Sequence, residues 1–261
     1  MAHEKTQAIV LRTLDYSETS QVLALCTESS GQVRVIAKGA RRQAMRGVSV
    51  PNTLDYCEVI FIPKPPPHLS ILTEWQVFDS FPRLRSSLDR VHAALYAVEL
   101  VQETTDRSED DAEIFRALLG LERSLAGGED AFISVVTFEL RLLEALGVCP
   151  ETGQCVQCGS PLGGRAYFSP QVGGALCQEC GPRAADALPA MAGTLASVAR
   201  LRREAATMGM SSGGRLRLLH SVRADMRRLL DFYWDHVLAR TPRMRRHLLA
   251  LVKSQGGAAE S

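Results

Sequence analysis

The sequence predicts an α+β protein of several domains, in which a small N-terminal β-barrel precedes an all-α region with a cysteine-rich insertion. Three observations support this order. Short runs of alternating polar and apolar residues fill the first 81 positions, apolar residues then recur with helical spacing, and five of the seven cysteines lie between Cys149 and Cys180. With 261 residues, 46% of them hydrophobic, the chain can bury a sizeable core.

Five short strands are predicted in the N-terminal domain, 1–81. Residues 32–36 alternate polar with β-branched side chains, Gly31 supplies a turn before them, and Pro63 ends a later run. Five strands in about 75 residues fit a closed barrel, of which the OB-fold is the commonest five-stranded kind. An SH3-like barrel fits the same pattern nearly as well. The predicted strands are 7–14, 21–27, 32–38, 54–62 and 69–78.

From Phe81 the apolar residues take the spacing of a helix. Steps of four and three alternate, which places one set on a single helical face: Leu84, Leu88, Val91, Leu95 and Val98. Further helices are predicted from about Ser108, over 130–146 with Gly147 as its C-terminal cap, over 194–208 and over 215–238. These helices define a helical domain of two parts, 82–148 and 183–252, and the tail 253–261 is expected to be disordered.

The insertion, 149–182, contains two Cys-x-x-Cys pairs separated by 18 residues: Cys155 with Cys158, and Cys177 with Cys180. Two such turns present four thiolates to one tetrahedral ion, and a closed four-thiolate shell leaves no position for water. The pattern therefore predicts one structural Zn²⁺ ion rather than disulfides, because cytosolic cysteines stay reduced. A vestigial site or a pair of redox dithiols is the alternative.

The residues around the two pairs refine this prediction. Gly159 and Gly181 directly follow the pairs and permit the tight backbone of each turn. Cys149 lies outside the spacing of the pairs and is left out of the ligand set. Cys26 and Cys57 fall inside strand patterns and are expected to be buried as small apolar residues.

The formal net charge of +1 conceals an uneven distribution. Residues 1–82 are balanced, 83–148 have an excess of 6 acidic residues, and 183–261 have an excess of 8 basic residues. The whole-chain value argues against a polybasic protein that coats nucleic acid or anionic membrane. No apolar stretch long enough for a bilayer and no signal peptide is found, so a soluble cytoplasmic protein without a membrane partner is expected.

Basic residues cluster where the third predicted strand ends. Lys38, Arg41, Arg42 and Arg46 flank two glycines, and Arg34 extends the patch along the strand. OB-folds bind nucleic acid on their middle strands and in such loops, so these five residues are candidate DNA contacts. A solvated basic loop is the alternative.

Aromatic residues able to stack on bases are few in the barrel segment: Tyr16, Tyr56 and Trp75. This scarcity favours sequence-tolerant binding through the phosphate backbone, with a strong dependence on salt. In the Arg-rich C-terminal segment, Arg223 and Arg227 lie one helical turn apart and are candidate phosphate contacts as well. Salt bridges to the acidic helices are expected for about half of these arginines.

No catalytic signature is found, so an enzyme is not expected. Residues 209–213 match Gly-x-Ser-x-Gly formally, but they follow a charged helical pattern instead of the buried strand that a nucleophile elbow needs. Phosphate-binding glycine loops and the His-x-Glu of zinc deaminases are missing from the sequence. Two other functions fit the same features: a zinc-ribbon adaptor for protein–protein contact, and an OB-fold RNA-binding protein.

Over about 6–249, the sequence resembles the bacterial RecO family of recombination mediators. The resemblance is carried by the opening run Ala-Ile-Val-Leu-Arg-Thr-Leu-Asp-Tyr-Ser-Glu-Thr-Ser at 8–20 and by Ala-Lys-Gly-Ala-Arg-Arg at 37–42. It is also carried by Leu-Leu-Glu-Ala-Leu-Gly at 142–147 and by Phe-Ser-Pro at 168–170, which precede the first and second cysteine pairs.

The resemblance implies an N-terminal OB-fold, a helical domain and a zinc-binding insertion. It also implies a DNA repair mediator that binds single- and double-stranded DNA without sequence preference and anneals complementary strands. With RecR, such a protein helps to replace single-strand binding protein by RecA, in the cytoplasm and at the nucleoid. Carried onto this chain, Lys38, Arg41, Arg42 and Arg46 contact the DNA backbone and the four cysteines hold structural zinc.

Overall fold

The computed structural model of the chain describes residues 3–40, 50–65, 67–105, 112–208 and 217–253. Within these ranges, no helix is both long and apolar enough to cross a membrane. Several predicted features lie outside the described residues: the loop arginines Arg41, Arg42 and Arg46, the start of the helix predicted from about Ser108, the Gly-x-Ser-x-Gly run at 209–213, the first two residues of the helix predicted over 215–238, and the tail beyond 253.

The N-terminal strands close into a barrel in the order β1-β2-β3-β5-β4. Neighbouring strands are antiparallel except β3 and β5, which pair in parallel. This Greek-key closure confirms the predicted five-stranded OB-fold, and each strand begins and ends within three residues of its predicted limits. The strands are β1 (Glu4–Asp15), β2 (Gln21–Thr27), β3 (Gln32–Ala37), β4 (Tyr56–Ile62) and β5 (Ser70–Asp79).

Apolar side chains fill the interior of the barrel because alternate residues of each strand point inward. Val10, Leu23 and Val35 are completely buried there, on β1, β2 and β3. A register shift in β1 between Val10 and Arg12 reverses the alternation of that strand. As a result, Arg12 and the residue two positions on, Leu14, face outward instead of into the barrel.

The rest of the described chain is mainly helical and packs around a second, larger core. Fully buried Tyr96, Phe138 and Trp234 belong to it, and so do Ile9 and Cys26 from the outer surface of the barrel. The helices therefore cover part of the barrel wall. They are α1 (Pro82–Arg85), α2 (Leu88–Thr104), α3 (Ala112–Gly127), α4 (Ala131–Ala145), α5 (Ala192–Met208), α6 (His220–Leu238) and α7 (Leu249–Lys253), with a 3-10 turn at Arg243–Leu248 before α7.

Two of the predicted helices differ from those observed. The helix predicted from Phe81 is divided into α1 and α2, because Ser87 has an extended backbone and Leu88 is 70% exposed instead of facing the core. The helix predicted from residue 215 begins at His220, because Leu219 is extended and 73% exposed. The predicted end of α4 is confirmed, since Gly147 has the left-handed conformation of a C-terminal cap.

A buried carboxyl group lies where α3 meets the barrel. Glu122 is 0% exposed, and neither carboxylate oxygen has a hydrogen-bond partner among the described residues. The charged groups that act on it are Arg85, Asp55 and Asp79. Burial raises the pKa of Glu122 well above its ordinary value of 4.5, because the charged form loses its hydration. The folded chain therefore keeps this group protonated at a pH where the unfolded chain has released the proton.

This protonation predicts a pH-dependent stability. The favourable contribution is complete below the unfolded-state pKa and is lost as pH rises towards the folded-state pKa. We expect Glu122→Gln to be more stable than the wild type at pH 8 by about 1–2 kcal/mol, and to lose this advantage at pH 4. Urea unfolding at both pH values measures the difference. Exposed Glu74→Gln is the control, and equal pH profiles for wild type and Glu122→Gln would contradict the prediction.

Candidate metal centre and nucleic-acid interface

The four cysteines of the two pairs converge on one point. Their Sγ atoms all lie within 4.8 Å of one another, and Cys158 Sγ is 3.8 Å from Cys177 Sγ. A tetrahedral ion with metal–sulfur bonds of roughly 2.3 Å separates its ligands by about 3.8 Å, whereas a disulfide needs roughly 2.05 Å. The arrangement therefore fits a metal ion held by Cys155, Cys158, Cys177 and Cys180, and these cysteines are free of disulfides.

Each pair forms a tight turn that ends at a glycine, but the two glycines serve different purposes. Gly159 N donates to Cys155 O and Gly181 N donates to Cys177 O, both at 2.9 Å. Gly159 has φ +73°, a conformation that favours glycine. At Gly181, an added Cβ would lie 2.1 Å from the ring of Tyr167, so close packing requires the glycine there.

A three-stranded sheet supports the cysteine cluster and connects it to the helices. The strands are β6 (Arg165–Ser169), β7 (Gly174–Leu176) and β8 (Leu188–Met191), in the order β7-β6-β8. Because β8 pairs with β6 and runs directly into α5, this unit extends past the predicted limit at 182. Phe168 of β6 packs edge-on against Tyr233 of α6, with ring centroids 5.7 Å apart.

The remaining cysteines lie outside the cluster. Cys149 is half-buried, and burial raises the pKa of its thiol to about 12, which keeps it protonated. Cys26 and Cys57 are 3% and 0% exposed, as the strand pattern predicts. Burial also raises the pKa of Cys57 to about 12. Among the described residues, these three cysteines lie outside the group of four whose Sγ atoms come together, so they are not candidate ligands.

Outward-facing cations line one side of the barrel. Arg12 of β1 and Arg34 of β3 are both paired with Ala24 of β2, so the three residues form a row across the sheet. Lys38 lies directly after β3. The three cations are exposed, and within the described ranges they form no ion pair with a carboxylate. We call Arg12 and Arg34 the cationic row; Lys38, four residues past Arg34 in the chain, is a further exposed cation outside this row.

A second row of outward side chains runs beside the first. Leu14 pairs with Val22, Val22 with Ile36, and Ile36 with Ile71, which gives a continuous aliphatic row across β1, β2, β3 and β5. Leu14 is 46% exposed, and the other three are partly exposed. The two rows are separated by two residues along each strand, or about 7 Å. We call these four residues the aliphatic row.

Of the three candidate aromatic residues, one lies exposed near these rows, and the other two pack against other parts of the protein. Tyr16 follows β1 and is 66% exposed. Tyr56 packs against Phe78 and Phe115, with ring centroids 5.3 Å and 6.4 Å away. Trp75 packs against the interior cluster of the barrel. The face is therefore mainly cationic and aliphatic.

Two of the predicted DNA contacts lie inside the protein, which corrects that prediction. The Arg227 side chain is 4% exposed; it donates to both carboxylate oxygens of Glu139, at 2.8 and 2.9 Å, and its Nε lies 2.9 Å from Asp231. Glu139 is fully buried and also accepts from the Tyr96 hydroxyl at 2.6 Å. These groups raise the pKa of Arg227 against the effect of burial. The charge of Arg227 neutralises carboxylates inside the helical core and is inaccessible to a phosphate.

Arg223 has the same kind of structural role. Its side chain is 0% exposed, forms an ion pair with Asp130 and lies over the ring of Phe132 at 5.0 Å. Asp130 is also the N-cap of α4, where its carboxylate accepts from the backbone N–H groups of Phe132 and Ile133. The salt bridges expected between the C-terminal arginines and the acidic helices therefore include these two residues.

Arg12 is a further candidate contact, which the sequence pattern did not indicate. In a regular strand, Arg12 would point inward with Ala8 and Val10, but the register shift after Val10 turns it outward. The sequence contains one signal for this: a charged residue at a position that regular alternation would bury. That signal indicates an irregular strand without showing where the irregularity lies.

A closed OB-fold barrel, a helical body and a four-cysteine cluster define the class of protein: a multidomain OB-fold protein with a candidate metal centre. Residues 1–81 match the family model "Recombination protein O N terminal", and residues 85–247 match "Recombination protein O C terminal". The chain belongs to the RecO family.

Curated relatives agree with this assignment over most of their length. The DNA repair protein RecO of Roseiflexus sp. is 33% identical over 240 residues, which are 92% of this chain and 82% of the relative. That of Anaeromyxobacter dehalogenans is 33% identical over 251 residues, 95% and 96% of the two chains. That of Bacillus pumilus is 30% identical over 231 residues, 88% of each chain.

Proposed function

We propose that this protein is a non-enzymatic mediator of DNA repair and recombination that binds single- and double-stranded DNA without sequence preference and anneals complementary strands. The observation that carries the proposal is the cationic row on the open face of an OB-fold in a chain of the RecO family. OB-folds bind nucleic acid on this face, and arginine donates two hydrogen bonds to one phosphate. The family assignment further supports action with RecR to replace single-strand binding protein by RecA, in the cytoplasm and at the nucleoid.

The cationic row acts on phosphate charge. Arg12 and Arg34 lie two strands apart, so their Cα atoms are separated by about 10 Å and the two side chains serve different phosphates. Neutralised backbones repel each other less, which lets complementary strands approach and pair. Lys38 lies two residues past Ile36, on the other side of the aliphatic row, and we propose it as a further backbone contact together with Arg41, Arg42 and Arg46, which follow it in the sequence. No covalent bond is made or broken in this mechanism.

We also propose that the cysteine cluster holds one structural Zn²⁺ ion. Four thiolates within 4.8 Å of one another repel strongly without a cation, and the tetrahedral spacing suits zinc. When bound, zinc supplies a closed cross-link and no open position for a substrate. The chain itself positions the thiolates through the two glycine-ended turns and the sheet β7-β6-β8. The cluster stabilises the segment between α4 and α5.

The assignment of the basic face predicts a measurable loss of DNA affinity. We expect a variant with Arg34, Lys38, Arg41 and Arg42 changed to Ala to bind a mixed-sequence single strand about 10²–10³-fold more weakly at low salt. The slope of log K against the logarithm of the salt concentration should become shallower by about one for each phosphate contact that is lost. Fluorescence anisotropy at several salt concentrations gives both quantities, and a strand-annealing assay gives the functional consequence.

Lys5→Ala is the matched control, because Lys5 is a cation of the same barrel that pairs with Glu58 at 2.9 Å, away from the row. It should bind and anneal as the wild type does. Unchanged binding by the four-residue variant would overturn the assignment of this face. A wild type without affinity for DNA would indicate the protein–protein adaptor instead, and a clear preference for RNA of matched sequence would indicate the RNA-binding alternative.

A further inference from the structure

We infer that the aliphatic row distinguishes single-stranded from double-stranded DNA by contacting unpaired bases, while the cationic row binds the phosphates of both. This inference rests on the proposed DNA-binding function and deepens it. It assigns a role to Leu14, Val22, Ile36 and Ile71, which are outward residues of the barrel that the phosphate contacts leave unused.

The pattern of the face is unusual for a solvated sheet surface. Outward positions of a one-sided sheet are normally polar, yet four successive strands in the barrel order β1-β2-β3-β5 place an aliphatic side chain at the same level. Leu14 remains 46% exposed. The helical body covers the neighbouring level, Ile9 and Cys26, but the aliphatic row lies beyond that contact, on the far side of Arg12, Ala24 and Arg34. In the part of the chain that the structure describes, none of these four residues belongs to a packed apolar cluster, and an apolar stripe of this kind marks a binding surface.

The charge beside the stripe specifies the occupant. Arg12 and Arg34 form a parallel line of positive charge about 7 Å away, so the partner carries a line of negative charge next to flat apolar groups. A single nucleic-acid strand has both, with phosphates along one side and unstacked bases along the other. In a duplex the bases are stacked and paired inside, so a duplex reaches the cationic row but offers no base faces to the aliphatic row.

The residues at the stripe determine the kind of base contact. Aliphatic side chains present no hydrogen-bonding groups, and among the candidate aromatic residues, all of them described, Tyr16 beyond the end of β1 adds an exposed ring near the rows. The contact is therefore independent of base identity, in agreement with binding that has no sequence preference. It adds apolar burial to the electrostatic attraction, and this part of the affinity is insensitive to salt.

The test replaces two central residues of the row by threonine, which keeps the β-branched shape that strands favour. We expect the double variant Val22→Thr with Ile36→Thr to bind a mixed single strand about tenfold more weakly, with an unchanged salt slope. Its affinity for a duplex, and for a strand made of abasic sites, should equal that of the wild type. Ile36→Tyr is expected to act in the opposite direction and strengthen single-strand binding by several-fold, because a ring stacks on a base.

Ile60→Thr is the matched control: Ile60 is an outward, partly exposed residue on β4, at a level occupied by Glu74 and Lys5. It should leave all affinities unchanged, and wild-type duplex binding by each variant shows that the barrel is folded. Equal weakening for single strand, abasic strand and duplex, or no weakening for any, would overturn the inference while the DNA-binding function stands. A wild type that binds none of the three ligands would instead overturn the proposed function.

Discussion

Replacing Arg227 by Met is expected to destabilise the protein by about 3–5 kcal/mol, which is a large part of the stability of an ordinary domain. The reason is the charge that the substitution leaves behind. Glu139 is 0% exposed, and Arg227 is the cation that donates to both of its oxygens. Without Arg227, Glu139 keeps one donor among the residues that the structure describes, the hydroxyl of Tyr96, and must either stay charged in an apolar core or take up a proton. Urea unfolding followed by circular dichroism measures the loss.

Arg228→Met is the control for this prediction. Arg228 is the next residue of α6, its side chain is 45% exposed, and the arginine side of its ion pair with Asp225 therefore faces solvent. Such pairs contribute at most about 1 kcal/mol. A cost for Arg227→Met as small as that of Arg228→Met would contradict the buried network.

A double substitution distinguishes the cost of losing the ion pair from the cost of leaving Glu139 buried and unpaired. In Arg227→Met with Glu139→Gln, the amide oxygen still accepts from Tyr96 and no buried charge remains. We expect most of the stability to return, to within about 1–2 kcal/mol of the wild type, so that the coupling between the two positions is large. DNA affinity per folded molecule should be unchanged in the double variant. A folded double variant that has lost DNA binding would show that Arg227 contacts DNA after all.

The same network shows where sequence patterns stop being informative. The Arg-rich C-terminal segment has the composition of a phosphate-binding surface, and Arg223 and Arg227 have the spacing of neighbours on one helical face. Their acidic partners, Asp130 and Glu139, lie about 90 residues earlier in the chain. Such pairing is decided by how α4 and α6 pack together, and no local pattern contains that information.

The barrel and the cysteine site could be predicted because their signals are local. Two-residue alternation indicates strands, and each Cys-x-x-Cys turn needs only the residues it contains. A register shift within a strand, or a close contact with a residue elsewhere in the chain, cannot be predicted from such local patterns. The register shift after Val10 reverses the faces of β1 and exposes Arg12, and Gly181 is required by close packing against the ring of Tyr167 on β6. The packing at Gly181 depends on a residue outside its own turn, and the alternation of residues in β1 does not show where the register shifts.

Removing the metal is expected to unfold the segment between α4 and α5 and to weaken the helical body as well. The cluster has a very small apolar core of its own, in which Leu176 packs with the buried cysteines Cys155 and Cys180. The ion therefore supplies much of the folding free energy of the segment, as in other structural zinc sites. Loss of the ion also weakens the helical body, because Phe168 of the segment packs on Tyr233 of α6 and because β8 leads directly into α5.

Metal analysis and thiol titration test this expectation together. Freshly purified protein should contain about one zinc per chain, and chelation should make the four clustered thiols reactive and the segment sensitive to protease. Cys155→Ser should lose the ion and lower the melting temperature. Cys149→Ser is the matched control, since Cys149 lies a few residues away but outside the cluster, and it should keep one ion per chain. Less than about half an equivalent of zinc in the wild type, or full zinc in Cys155→Ser, would rule out a closed four-thiolate site, because that site has no ligand to spare.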